Sequence, residues 1–255
     1  MNLILLDDPS PTVHLAVDDP RAIHLRRVLR VRTGSCVDVG VPMGPRGRAE
    51  VVADDGGRLT LACHWLDGDQ PEEPAVHLLL GLIRPIEGRR LLEDVAAAGV
   101  AAVHGFPAER TEAGYASAGA WQPAEAAAAL RRGAAQGFTT WVPPFHRHAS
   151  LAAALAAVAG DGRRVVLDVY EAATPLLPTA GHSAPVLLAI GPERGWSAAE
   201  RAQFRSADWQ FHHLGPRVLR TAHAAHAALA LLAAQAGQRS HLEVIRPLRE
   251  ATSPP

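Results

Sequence analysis

The sequence predicts an α/β protein: a domain on a mainly parallel sheet, preceded by a small β-rich domain. Three observations carry this expectation. From residue 75 onward, apolar runs of strand length alternate with segments of helical periodicity, as strand–helix–strand units require. Residues 1–72 have another texture, with short alternating segments broken by Gly and Asp. Between them lies "LDGDQPEEP" (66–74), which is polar, carries acids and prolines, and reads as a linker.

The N-terminal "MNLILLDDPS" has no positive region, and its apolar run is too short for a signal peptide. In "DDPRAIHLRRVLRVRTG", Asp19 and Pro20 suit an N-cap and a first helical position. Arg21, Arg26, Arg27, Arg30 and Arg32 follow with no acid until Asp38. They read either as a solvated helix face or as a local phosphate-contacting patch, with Arg26, Arg27 and Arg30 as its substrate-binding candidates. "SCVDVGVP", "GRAEVVADD" and "GRLTLACHWL" are short strands that suit a small β-barrel. Cys36 and Cys63 have no metal-ligand spacing and read as ordinary thiols.

The second domain begins with "AVHLLLGLI" (75–83), a continuous apolar strand. "EGRRLLEDVAAAGV" (87–100) is a helix ending at Gly99, "AAVHGF" (101–106) a strand, and "QPAEAAAALRRGAAQGF" (122–138) a helix. "LAAALAAVAGDG" closes a further helix. "RRVVLDVY" (163–170), "APVLLAIGP" (184–192) and "WQFHHLG" (209–215) are strands. "SAAERAQFRSA" (197–207) and "RTAHAAHAALALLAAQAG" (220–237) are helices. The expected limits are 1–72, 73–240 and a frayed tail at 241–255.

Of 255 residues, 48% are hydrophobic and 20% charged, with a formal charge of −1. Nucleic-acid binding through net charge is not indicated, which leaves a local patch. All 25 basic residues are arginine, so no lysine is available for a Schiff base. No apolar run reaches the roughly 20 residues of a membrane span. The histidines follow no metal-binding motif. The expectation is a cytoplasmic protein with neither membrane nor metal partner.

Parallel sheets bind ligands beyond the carboxyl ends of their strands. Two strand-to-helix turns stand out there, "IGPERGWSAAE" and "LGPRVLRTAHAAHAAL". The first carries Gly191, Pro192 and Gly195, then Ser197 with Glu200 three residues on, the pattern of a capping box. Neither matches a glycine-rich phosphate fingerprint.

These segments together resemble the 16S ribosomal RNA uridine-N3 methyltransferase family, of the SPOUT or trefoil-knot class. "HLRRVLRVRTG" (24–34) is similar to its N-terminal signature, and "AAGVAAVHGFPAERT" (97–111) and "AAQGFTTWVP" (134–143) to its central segments. "IGPERGWSAAE" and "LGPRVLRTAHA" resemble its two C-terminal motifs, "IGPEGG.S..E" and "LG.RVLRTETA". The resemblance implies a PUA-like N-terminal β-barrel and a knotted C-terminal domain that binds S-adenosylmethionine and forms a homodimer through the knot. It carries the cofactor contacts to Gly191, Pro192, Glu193 and Gly195, and to Leu214, Gly215, Val218, Leu219 and Arg220. A further contact is expected near Tyr170 and Glu171.

The departures concern other positions. Asp94, Ala97, Ala135, Thr139, Arg194, Ala222 and His223 stand where the family pattern has other residues. The cofactor turns are nearly complete, which reads as methyl donor kept and acceptor site rebuilt. Methyl transfer to a uracil-like nitrogen needs a base, or a site that lowers the N3–H pKa. His223 suits base duty if Thr221 caps its helix, because the positive helix end disfavours imidazolium. His226 lies one turn further on. Arg220 could orient the cofactor or an acceptor carbonyl, Arg194 could recognise an anionic acceptor group, and Arg110 could line the acceptor path. Three readings stay open: an RNA methyltransferase, a repurposed methyltransferase of a small heteroaromatic acceptor, and a binding protein without catalysis.

Overall fold

The computed structural model describes residues 3–160, 162–177 and 185–233; the expected tail lies outside them. The described residues form two compact units, 3–72 with 135–142, and 73–134 with the described residues from 143 to 233.

The first unit contains β1 (Ile4–Leu5), β2 (Thr12–Ala16), α1 (Pro20–Arg27), β3 (Cys36–Gly40), β4 (Arg46–Asp54) and β5 (Arg58–Trp65). They form one curled mixed sheet, a half-barrel, in the order β1-β3-β4-β5-β2. Only the β1–β3 pair is parallel. Alternate residues of these strands, including Leu15, Val39, Val51, Leu59 and Leu61, meet Leu25 of α1 in a buried core. Asp19 caps α1 as expected, accepting from the Arg21 N–H at 2.8 Å. The arginine cluster is less free than its sequence implies. Arg21 pairs with Asp7 and Asp19, and Arg26 pairs with Asp54 at 2.7 Å. Arg27, Arg30 and Arg32 keep no acidic partner among the described residues. The linker is also tied: the Asp69 carboxylate accepts from the backbone and guanidinium of buried Arg46. Residues 135–142 join this unit through backbone bonds from Leu3 to Ala135 and from Met43 to Thr140.

The second unit holds β6 (Val76–Gly81), α2 (Pro85–Ala98), β7 (Ala102–Phe106), α3 (Pro123–Gln136), β8 (Phe145–Arg147), α4 (Leu151–Ala157) and β9 (Arg163–Leu167). It continues with β10 (Thr174–Pro175), β11 (Val186–Ile190), α5 (Ala198–Ser206), β12 (Gln210–His213) and α6 (Thr221–Ala233). The strand order is β10-β12-β9-β11-β6-β7-β8, and every neighbouring pair among the described residues is parallel. Such sheets are covered on both faces, which explains the unbroken apolar run of β11 and the largely apolar runs of β6 and β7, each with one histidine. One face carries Leu78, Leu80, Leu188 and Ile190 against α2, α3 and α6. The other carries Leu79, Phe106, Val166 and Ala189 against α4 and the aromatic residues Trp196, Phe204 and Trp209. Gly99 ends α2 in the left-handed conformation, at φ 85°.

The β7–β8 side of the sheet holds a histidine group. His104 of β7 is buried, its Nδ1 lies 3.0 Å from His148 Nε2, and the rings of His146 and His77 lie 4.9 and 6.3 Å away. Burial first, then the charges of His146, His148 and His77, push the His104 imidazole down to about 3. The unfolded chain binds this proton at its ordinary value near 6.5, so stability is full above that pH and declines below it. Chemical denaturation at pH 7 and pH 5 is expected to show a loss of about 2 kcal/mol from this group. His104→Leu should flatten that dependence.

Candidate active site

A cavity of about 620 Å³ opens at the carboxyl ends of β9, β11 and β12. Its wall is built from the turns that follow those strands. Leu167 ends β9, and Asp168, Val169 and Tyr170 follow it; Gly191 to Trp196 come after β11; Leu214, Gly215 and residues 217–220 link β12 to α6, whose first residue, Thr221, also lines the cavity. Arg84 and Glu87 at the start of α2, with Glu112 and Tyr115 from the loop after β7, also line it.

Buried polar ties fix each turn. Asp168 is at the centre, its side chain 1% exposed. One oxygen accepts from the N–H groups of Tyr170 and Glu171, at 2.6 and 3.1 Å. The other takes Arg201 Nε of α5 at 2.5 Å. Trp196 is buried against Phe106 and Phe204, and its Nε1 donates to the Leu167 carbonyl at 3.1 Å. The β9 and β11 turns are thereby joined. The expected capping box is formed: Ser197 accepts from the Glu200 N–H while Glu200 accepts from the Ser197 N–H. Glu200 also accepts from the Glu109 N–H at 2.9 Å, which braces the loop after β7.

Local geometry explains the glycines. Gly195 has φ +67° and closes the turn through its N–H to the Pro192 carbonyl. A Cβ on Gly81, at the end of β6, would sit 2.7 Å from Pro192 Cδ, so the turn can rest on that strand only where a side chain is absent.

Most expected cofactor positions meet here: Tyr170, Gly191, Pro192, Glu193, Gly195, Leu214, Gly215, Val218 and Leu219 all line the cavity, as do Arg194 and Arg220. Glu193, a candidate either for cofactor contact or for tying a loop, makes a tie, its carboxylate accepting from the Arg84 N–H at 2.8 Å. Other expected roles change. Glu171 does not line the cavity; it pairs with Arg205 and lies 3.6 Å from Arg201. Arg110 stands behind the wall and donates to the Arg194 carbonyl at 3.1 Å. Thr221 is the first residue of α6 rather than its cap; its hydroxyl donates to the Gly191 carbonyl at 3.1 Å, and the Arg220 carbonyl accepts from Ala224. His223 and His226 do not line the cavity. The buried face of α6 is Thr221, Ala225, Ala228, Leu229 and Leu232, which leaves both histidines exposed. His226 lies 3.3 Å from Asp94 of α2. Base duty for His223 has no geometric support within this chain. Arg26, Arg27 and Arg30 belong to the first unit and not to this wall.

Sequence reasoning missed Asp168, Arg201, Glu112, Tyr115 and His212 as wall residues. The available signal was a carboxylate closing the apolar run "RRVVLDVY". Among the described residues, no group of three or more His, Cys, Asp or Glu is placed to hold a metal ion.

Comparison with known proteins agrees with this geometry. The family model of the RNA methyltransferase domain matches residues 71–233. Ribosomal RNA small subunit methyltransferase E of Treponema pallidum is 30% identical over 230 residues, covering 87% of this chain and 86% of that protein. Ribosomal RNA small subunit methyltransferase E 1 of Borreliella burgdorferi is 22% identical over 221 residues, covering 87% and 92%. In fold, the chain is similar to ribosomal RNA small subunit methyltransferase E of Neisseria gonorrhoeae, solved with S-adenosylmethionine, at a TM-score of 0.75 and 23% identity, covering 90% and 95%.

Proposed function

Since the chain belongs to the RNA methyltransferase family that includes ribosomal RNA small subunit methyltransferase E, we propose that it methylates a uridine-like ring nitrogen of small-subunit ribosomal RNA. It is an S-adenosylmethionine-dependent methyltransferase. The observation that carries the reading is the cavity at the carboxyl ends of β9, β11 and β12, walled by the two turns of the family motifs.

The residues present fit the methyl donor. The cavity volume falls within the roughly 300–1,000 Å³ of small-molecule sites. Its floor is apolar at Leu167 and Ile190, and its turns offer backbone polar groups. A phosphate cradle is absent from these motifs, and S-adenosylmethionine has no phosphate to cradle. When bound, it supplies an electrophilic methyl carbon on a sulfonium.

The side chains of this wall then hold and activate the acceptor. An attacking nitrogen must be held in line at about 3–3.5 Å, which the rigid turns favour. Its N3–H must lose a proton. Arg84, Arg217 and Arg220 line the cavity, and their guanidinium groups have no acidic partner among the described residues; positive charge of this kind lowers the pKa of a neighbouring acid. Arg194 faces Glu112 at 3.5 Å, with both side chains more than half exposed. Such a pair contributes about 0–1 kcal/mol, so an RNA phosphate can take its place on the guanidinium.

The comparisons favour neither a small-molecule acceptor nor loss of catalysis. The proposal includes a threaded backbone at the three turns and a homodimer. Val218 and Leu219, exposed in the loop that walls the cavity, are apolar side chains that a second copy could cover. No helix among the described residues is long and apolar enough to cross a membrane. A cytoplasmic location belongs to the same proposal, and the ribosomal RNA substrate proposed above supports it.

The test is methyl incorporation into purified small ribosomal subunits, with the product read by mass spectrometry of the nucleosides. N3-methyluridine is the expected product, and no incorporation would overturn the reading. In the same assay, Arg194→Ala should raise KM for RNA severalfold and leave cofactor affinity unchanged.

A further inference from the structure

His212 lines the cavity from β12, at the strand register of Leu167 in β9 and Thr174 in β10. The residue is 8% exposed. Its Nδ1 lies 3.3 Å from the Pro175 carbonyl, an acceptor, so Nδ1 carries the ring proton. Nε2 is then a lone-pair acceptor. It is buried and has no hydrogen-bond partner among the described residues. A buried acceptor without a donor is costly and uncommon in folded proteins.

Burial pushes the His212 imidazole below its ordinary pKa, ahead of a raising bond to Pro175 and the lowering charges of Arg163 and His213. The ring therefore stays neutral at neutral pH, and Nε2 keeps its lone pair. A second polar atom in the same wall is also unpartnered: Arg201 Nη2, a donor.

We propose that His212 Nε2 accepts a hydrogen bond from the adenosine half of the methyl donor. The inference rests on the cofactor reading above and adds a side-chain contact to it. A neutral acceptor beside the apolar residues Leu167, Ile190 and Leu214 suits a neutral amino or hydroxyl donor on a flat heterocycle or sugar. The donor's ammonium needs a carboxylate instead, and the nearby Asp168 is already occupied by Arg201.

Isothermal titration calorimetry of the full chain tests this with three ligands: S-adenosylmethionine, S-adenosylhomocysteine and 5′-methylthioadenosine, which lacks the amino-acid half. His212→Leu removes the acceptor; His212→Gln keeps an oxygen near the Nε2 position. Leucine should weaken all three ligands about tenfold. Glutamine should bind close to wild type. The melting temperature of the ligand-free leucine variant should stay close to that of wild type, since the variant loses the Nδ1 bond to the Pro175 carbonyl and the unpaired Nε2 together; a large fall would make the role structural and overturn the proposal. Unchanged affinity in the leucine variant would overturn it, as would a glutamine variant as weak as leucine. Weakened binding of the first two ligands alone would move the contact to the amino-acid half and overturn the adenosine assignment. A wild type that binds none of the three would defeat the cofactor reading itself.

Discussion

Asp168→Ala is expected to destabilise the protein by about 3–5 kcal/mol and to remove measurable cofactor binding. The carboxylate is buried and serves both its neighbours in the turn and Arg201, whose side chain is 8% exposed. Removing it leaves a guanidinium with its main partner gone in a site that water hardly reaches. The remaining acid near Arg201 is Glu171, at 3.6 Å and already paired with Arg205. The N–H groups of Tyr170 and Glu171 lose their acceptor at the same time, so the turn after β9 loses the bonds that shape it. Urea denaturation measures the first effect and calorimetry the second. The double variant Asp168→Ala/Arg201→Leu separates charge from shape: with both buried groups gone it should be more stable than Asp168→Ala alone, while cofactor binding stays lost. Equal stability of the two would show that the charge pair is not the cause.

Gly133→Ala should cost about 3 kcal/mol, and the reason lies in the fold rather than the site. Alanine is worth up to about 1 kcal/mol more than glycine inside a helix, so propensity alone favours the change. Packing opposes it. A Cβ at this position of α3 would sit 2.0 Å from the Glu93 carbonyl oxygen and 2.8 Å from Ala96 Cβ, both on α2. A carbonyl inside a helix cannot rotate aside as a side chain can, so the two helices must separate and the clash wins. Arg132 and Glu93 pair across the same contact at 2.7 Å, and that bridge would weaken too. The melting temperature is expected to fall by roughly 6–12 °C. An unchanged value would mean that α2 and α3 can move apart without cost.

These two positions mark the limit of what a sequence can reveal. The longer strands of the parallel sheet were legible because burial on both faces writes them as largely apolar runs. The cap at Asp19, the capping box at Ser197 and Glu200, and the stop at Gly99 are local and could be read directly. β1, β8 and β10 were not legible, because two or three residues at a sheet edge leave no periodicity to detect. β2 was missed for another reason: four of its five residues are not buried, so it presents little apolar pattern.

The site divides in the same way. Gly191, Gly195 and Gly215 lie in turns whose motifs are contiguous in the chain. The ties that hold those turns are not contiguous: Asp168 and Arg201 are 33 residues apart, Glu109 and Glu200 are 91 apart, and Gly191 and Thr221 are 30 apart. No local pattern announces such pairs. His223 shows the converse error. Its place beside a ligand-binding turn made it attractive, but the helix turns it outward, because Thr221, Ala225 and Ala228 take the buried face.

The two edges of the parallel sheet bear on how this chain behaves in a crowded cell. One edge is β10, two residues long and ending in Pro175, which has no N–H to offer an incoming strand. The other is β8, three residues preceded by Pro143 and Pro144. Short edges interrupted by proline resist strand-to-strand aggregation, a hazard of broad parallel sheets. Self-association is thereby steered toward helices and loops, where surfaces are shaped and finite, and a discrete pair of chains can form in place of an open-ended fibre.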